Sequence, residues 1–347
     1  MQPLTPLYRP GEQFEISAQG LAEWQQSDSF ERVTDFYYDY PQNALQSHIA
    51  RALLHHLIVM HRPKLALEIG TYHAGTAEVM ARALHEVGEG HLETIDPFGG
   101  ERCPPLIAAL PPELQQRITF SPVNSGAHFD RALAQGKRYD LVLVDGNHEF
   151  EFARFDLECT ARLIRPGGLI VVDNIEQPGP RLAAKLFMES HPEWQDVAGV
   201  IGQIDAVGPL DMPPPSFYFT KFYLLRAPDH YPVKSAPISF GPITSDSAAV
   251  DGIEIDLAAE TQGNLHIQVY SRTFGPREPE ELEGRRCFVV EVQGSQGSRI
   301  RIPLDHPLRS RLCSADFTHR IEIVLAFVGD SALALRAPPT PYPACHI

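Results

Sequence analysis

A chain of 347 residues exceeds the usual size of one hydrophobic core, so about two domains are expected. Its hydrophobic share of 43% and charged share of 21% are those of an ordinary globular protein and exclude wholesale disorder. The formal charge of -15, with no dense Lys/Arg run, argues against nucleic acid, and no stretch approaches the ~18 apolar residues of a membrane span, so a cytoplasmic protein is the default expectation.

Residues 1–45 carry Phe30, Phe36, Tyr37, Tyr38 and Tyr40 among acids without a clear period, and the opening residues have no leader pattern; an N-terminal cap or lid is expected. From Gln46 to Arg62, Ile49, Leu53, Leu54, Leu57 and Ile58 recur at helical spacing, and Pro63 closes the segment. The period then changes, because Leu65 to Ile69 is a short apolar run ending at Gly70, as in a strand buried on both faces. The next inner face is Val79, Met80, Ala83, Leu84 and Val87 of a helix stopped by Gly88 and Gly90.

Strands are expected at His91 to Ile95, Ile118 to Pro122, Leu141 to Val144 and Leu169 to Val172. Helices are expected around Phe129 to Gln135, Glu149 to Ile164 and Arg181 to Ser190. Such alternation predicts a doubly wound α/β fold with a mostly parallel, Rossmann-like sheet. Two last strands, near Val197 to Val207 and Phe217 to Leu225, have Gly/Pro-rich sequence between them and are expected to pair as an antiparallel hairpin at the sheet edge.

The α/β domain is thus assigned to residues 46–227, and the punctuation by Pro228, Pro232, Pro237 and Pro242 marks a linker, bounded at 228–237. Beyond it the period becomes two. Ile253/Ile255/Leu257, Leu265/Ile267/Val269, Phe288/Val290/Val292, Ile300/Ile302/Leu304 and Ile321/Ile323/Leu325 predict a small all-β sandwich over 238–347. Cys103, Cys159, Cys287, Cys313 and Cys345 are scattered and never form Cys-x-x-Cys, so they read as reduced thiols and not as a disulfide framework or zinc site.

The chemistry concentrates at strand ends. Glu68-Ile69-Gly70-Thr71-Tyr72-His73-Ala74-Gly75-Thr76 is a strand ending in an acid, a Gly-bounded turn and a helix start, the pattern of a nucleotide, nicotinamide or S-adenosylmethionine loop. Asp96 ends the next strand, where a carboxylate accepts hydrogen bonds from ribose hydroxyls. Asn124 and Ser125 follow the third strand as adenine contacts. Asp145 ends the fourth strand and Asp173-Asn174 the fifth, so three oxygen donors converge at the same rim and suit a hard cation such as Mg²⁺. His148, three residues past Asp145, is the candidate base.

At Glu-Ile-Gly-Thr-Tyr-His-Ala-Gly-Thr (68–76), Ile-Asp-Pro-Phe (95–98), Val-Asp-Gly-Asn-His (144–148) and Arg-Pro-Gly-Gly-Leu-Ile-Val-Val-Asp-Asn (165–174), the chain resembles class I methyltransferases. More narrowly, it is similar to the metal-dependent O-methyltransferases, both the catechol type and the group of macrolide-sugar O-methyltransferases and cephalosporin-hydroxylase-like proteins. The resemblance spans residues 60–180. It implies an S-adenosylmethionine cofactor held by Glu68, Gly70, Thr71, Gly75, Asp96, Asn124, Ser125 and Asp145. It also implies Asp145, Asp173 and Asn174 as metal ligands, with His148 and Asp145 catalytic. The catechol type shares the Asp-Asn pair, whereas the sugar type has two acids there; Ala74 stands where these families often have glycine.

The implied reaction is O-methylation of a small-molecule acceptor, a sugar, polyketide or phenol, as in natural-product biosynthesis. A homo-oligomer is compatible with this reading, with the β domain as a subunit contact. A nicotinamide dehydrogenase fits less well, because Gly70-Thr71-Tyr72 lacks the middle glycine of Gly-x-Gly-x-x-Gly. A metal-independent methyltransferase and a non-catalytic binding module are the competing readings.

Overall fold

The structure, a computed structural model, describes residues 4–200, 222–228, 238–245, 250–258, 263–274, 282–292, 299–303, 318–329 and 335–343. Most of the expected linker lies outside these residues, as do 201–207 and 217–221 of the two expected last strands. The chain divides into two compact units, Met1–His128 with Ala134–Tyr231, and Phe129–Leu133 with Pro232–Ile347.

The first unit holds a seven-stranded sheet. Its parallel strands are β1 (Leu65–Ile69), β2 (His91–Ile95), β3 (Ile118–Ser121), β4 (Tyr139–Val144) and β5 (Ile164–Val172), completed by β6 (Gln195–Val200) and β7 (Tyr223–Arg226). The order is β3-β2-β1-β4-β5-β7-β6. β7 runs antiparallel to both β5 and β6, so the pair forms as expected, with the second strand taking the inner place and β6 the rim.

The order reverses direction between β1 and β4. In an open α/β sheet that reversal opens a crevice beyond the carboxyl ends of the strands. Register then places the chemistry: Ile69 pairs with Val144 and Val144 with Val172, so the residues that follow these strands, Gly70, Asp145 and Asp173, emerge at one level. Leu67, Leu141 to Leu143 and Leu169 to Val172 are fully buried, which is why each strand reads as a continuous apolar run.

The N-terminal segment is packed. Two short helices that the sequence pattern did not predict, α1 (Ala18–Gln25) and α2 (Asp28–Phe36), are capped by Ser17 and Ser27, whose hydroxyls accept from Gly20 N and Phe30 N. They lie in one core cluster with α3 (His48–His61) and α4 (Gly75–Val87). Trp24 stacks on His56 with ring centroids 4.0 Å apart. Tyr37 Oη bonds His55 Nδ1 at 2.8 Å and His55 Nε2 bonds Glu86 Oε2 at 2.9 Å, which ties this layer to α4.

Between β2 and β3 lie two short helices, α5 (Cys103–Ala108) and α6 (Pro112–Gln115), also unpredicted. α7 (Ser125–Ala134) follows β3, α8 (Phe150–Leu163) follows β4 and α9 (Pro178–Ser190) follows β5. α7 begins four residues earlier than expected, because Asn124 caps it: Asn124 Oδ1 accepts from Ala127 N at 2.8 Å.

The second unit is two antiparallel sheets, ordered β11-β10-β13-β8 and β12-β9-β14. β9 (Val250–Leu257), β10 (Gly263–Phe274), β11 (Leu282–Val292), β12 (Arg299–Pro303) and β13 (Thr318–Gly329) are the five runs with a period of two. Ile255, Leu257, Leu265, Ile267 and Leu325 are fully buried. β8 (Ile238–Ser245) and β14 (Leu335–Pro343) escaped prediction because Pro242, Pro338, Pro339, Pro341 and Pro343 interrupt the alternation. Both are edge strands, where a missing N–H is tolerated. Among the described residues no helix is long and apolar enough to cross a membrane.

Candidate functional site

The turn after β1 is built by its glycine. Gly70 has φ +101°, and a Cβ there would lie 2.1 Å from the carbonyl oxygen of Asp145, so the close approach is between two strand ends of the protein itself. Gly70→Ala combines a left-handed strain with a backbone clash and should cost at least ~3 kcal/mol. Urea denaturation of the variant measures that loss directly.

Gly75 answers a different demand. A Cβ there would sit 2.3 Å from Ala44 N and 2.6 Å from Asn43 C, so the glycine admits the segment before α3. Asn43 Nδ2 donates to His73 O at 2.7 Å and fixes that crossing. Ala74 has φ +59°, the left-handed geometry that accounts for glycine at this position in the families the turn resembles.

Glu68 is fully buried. Burial pushes its carboxyl up to about 8; the Thr94 hydroxyl, which donates to Oε2, opposes this, and the charges of Asp145 and Asp96 reinforce it. Thr71 Oγ1 and Thr94 Oγ1 are hydrogen-bonded at 2.6 Å, so the turn and β2 share one hydroxyl relay. Glu68 Oε1 is buried without a hydrogen-bond partner, an acceptor suited to a cationic or N–H-bearing ligand group.

Asp96 closes the other side of the turn. Its Oδ2 accepts from Tyr72 N at 2.9 Å, its Oδ1 from Phe98 N at 2.8 Å, and Arg102 Nη2 lies 3.2 Å from Oδ2. The Arg102 guanidinium also covers the Tyr72 ring at 5.0 Å. Arg102, one-third exposed, is also anchored by its Nε, which donates to Tyr72 O at 2.9 Å.

Asn124 and Ser125 are buried. Asn124 is the cap of α7, and the Ser125 hydroxyl bonds Asp156 of α8, whose carboxyl burial pushes up to about 7. Asp156 Oδ2 reaches under the loop, 3.1 Å from where a Cβ at Gly146 would be. These contacts hold the loops after β3 and β4 together.

At the third point of the site, backbone hydrogen bonds set the acids side by side: Asp145 N donates to Ile69 O at 3.1 Å and Asp173 N to Val144 O at 3.0 Å. His148 Nε2 lies 3.6 Å from Asp145 Oδ1 and is about one-third exposed. The Asp145 carboxylate raises the imidazole above its ordinary value; burial opposes this, and Asp173 and Gln177 add to the rise. Asp173 is buried: Oδ1 accepts from Asn174 N and Oδ2 from Gln46 Nε2, each at 2.6 Å. Asn174 has φ +54°, which turns its side chain toward Glu176, with Nδ2 3.4 Å from Oε1.

Among the described residues no three His, Cys, Asp or Glu side chains form a ready-made metal cluster. The Asp145 and Asp173 strand ends meet at this rim, while the Asn174 amide is turned to Glu176. Gln46, Asn43, Arg102 and Asp156 were missed from sequence. Arg102 lay six residues past Asp96 in the same loop, but Gln46 reaches Asp173 across 127 positions and left no local signal.

Residues 67–175 match the family model described as a methyltransferase domain. No curated protein matches the chain. Among solved structures, the chain is similar to an O-methyltransferase from Bacillus cereus in complex with S-adenosylhomocysteine, at 15% identity over 59% of this chain and 94% of that one, with a TM-score of 0.39. It is also similar to TomG from Streptomyces achromogenes, an O-methyltransferase involved in tomaymycin synthesis and in complex with S-adenosylmethionine, at 17% identity, 60% and 95% coverage and a TM-score of 0.40.

Proposed function

We propose that this chain, whose residues 67–175 match the methyltransferase-domain model, is an S-adenosylmethionine-dependent O-methyltransferase that methylates a hydroxyl of a small molecule with the help of a divalent cation. The observation that carries the reading is the single rim shared by Glu68, Gly70, Asp96, Asp145, His148 and Asp173. The unpaired Glu68 Oε1 fits the cofactor's ammonium and Asp96 its ribose, with the N–H groups at the start of α4 close by.

When bound, the cofactor supplies an already activated methyl group, and a cation such as Mg²⁺ supplies Lewis acidity toward the acceptor oxygen. Asp145, Asp173 and Asn174 would hold that cation. The protein's own work is positioning and proton removal. His148, 3.6 Å from Asp145, takes the acceptor's proton while Asp145 steadies the resulting imidazolium. His148→Ala should lower kcat about 10²- to 10⁴-fold with cofactor affinity unchanged; a parallel loss of cofactor binding would assign His148 to the cofactor pocket instead.

One observation favours a metal-independent variant of the same reaction: both Asp173 oxygens already accept a hydrogen bond. The deciding experiment is calorimetry with S-adenosylhomocysteine with and without Mg²⁺, followed by turnover after chelation. Activity lost in EDTA and regained with Mg²⁺ supports the cation. Turnover that survives chelation transfers the reading to the metal-independent form, and failure to bind the cofactor product removes methyl transfer altogether.

A further inference from the structure

The segment before α3 touches both halves of the site. Its course is pinned at each end: Arg51 Nη1 donates to Tyr40 O at 2.6 Å and Pro41 O at 3.0 Å, and Ser47 caps α3 through Ala50 N at 3.2 Å. Between these anchors, Asn43 and Ala44 lie against the cofactor turn at His73 and Gly75. Gln46, three residues on, is 4% exposed and gives its amide N–H to Asp173 at the opposite corner.

A hydrogen bond to a buried carboxylate is charge-assisted and fixes its rotamer. Gln46 Oε1 is buried without a partner, so the amide is held by its donor side alone. Local capping or helix geometry does not require glutamine there, since Ser47 already supplies the cap.

We propose that Gln46 is a positioning residue that links the cofactor turn to the acid corner: through the pinned 40–47 segment, occupancy of the turn orders Asp173 for the acceptor side. The inference rests on the methyl-transfer reading above. It makes cofactor binding and the geometry of Asp173 one coupled event, a coupling carried by a contiguous chain of backbone and two side chains.

The test is amide hydrogen exchange of the full chain with and without S-adenosylhomocysteine, comparing the wild type with Gln46→Met, which keeps the volume and removes the donor, and with Gln46→Ala. In the wild type, the product should slow exchange at least threefold both at 68–76 and at 171–176. In Gln46→Met the slowing at 68–76 should persist while that at 171–176 falls by more than half, with kcat reduced about tenfold and cofactor KM unchanged. Equal slowing at 171–176 in both proteins, or none there in a wild type that binds the product, overturns the inference and leaves the methyltransferase reading standing. A wild type that binds no product in calorimetry overturns both.

Discussion

Asp145→Ala should abolish measurable turnover, a loss of at least about 10³ in kcat or ~4 kcal/mol of transition-state stabilisation, while leaving affinity for S-adenosylhomocysteine within a few-fold of the wild type. The separation follows from geometry. Asp145 meets the cofactor turn through its backbone, donating N–H to Ile69 O and pressing its carbonyl against Gly70, and a change to alanine keeps both contacts. Its carboxylate lies 3.6 Å from His148. Truncation therefore strips the chemical corner of a carboxylate and of the charge that holds His148 up, and leaves the turn intact. Product titration by calorimetry alongside single-turnover kinetics reads the two effects separately. Loss of product binding with no further loss in the chemical step would reverse the division and make Asp145 a cofactor residue.

The strand ends were legible in the sequence because they obey local rules. Buried parallel strands write themselves as apolar runs, and a polar residue closing such a run marks the rim, which is how Glu68, Asp96, Asp145 and Asp173 declared themselves. What escaped was non-local. The aromatics of the first forty-five residues show no period because their partners are scattered along the chain, Trp24 on His56 and Tyr37 on His55 of α3, Phe30 on Trp24, and Phe36 under Arg82 of α4. The proline-rich β8 and β14 hid their alternation at sheet edges. Gly75 was legible as a special position, but not the packing it serves: its missing side chain accommodates Asn43 and Ala44, some thirty residues away in sequence. Gln46 could be found only once the fold had brought it to Asp173.

The contribution of Glu68 to stability should fall as pH rises through the neutral range, and Glu68→Gln should remove that fall. Burial is the first cause of the raised Glu68 carboxyl, from 4.5 to about 8, so between those values the folded chain keeps a proton that the unfolded chain has released. A raised folded-state value means stability is fully present below the unfolded pKa and is lost as pH climbs through the folded one. Asp156 acts in the same sense, from 3.8 to about 7. The two groups together make the fold most secure on the acid side of neutrality as far as they contribute, with an order of 3–5 kcal/mol for Glu68 alone once pH exceeds about 8. Replacing Glu68 by glutamine removes the titration and retains an acceptor for the Thr94 hydroxyl, so denaturation midpoints of the variant should exceed those of the wild type at pH 9 and approach them at pH 5. A pH profile that the substitution leaves unaltered would show Glu68 already ionised in the free fold. A cofactor ammonium should act against the same penalty: by pairing with Glu68 Oε1 it favours the carboxylate, so product binding near pH 7 should release a proton, detectable as a buffer-dependent heat that Glu68→Gln abolishes.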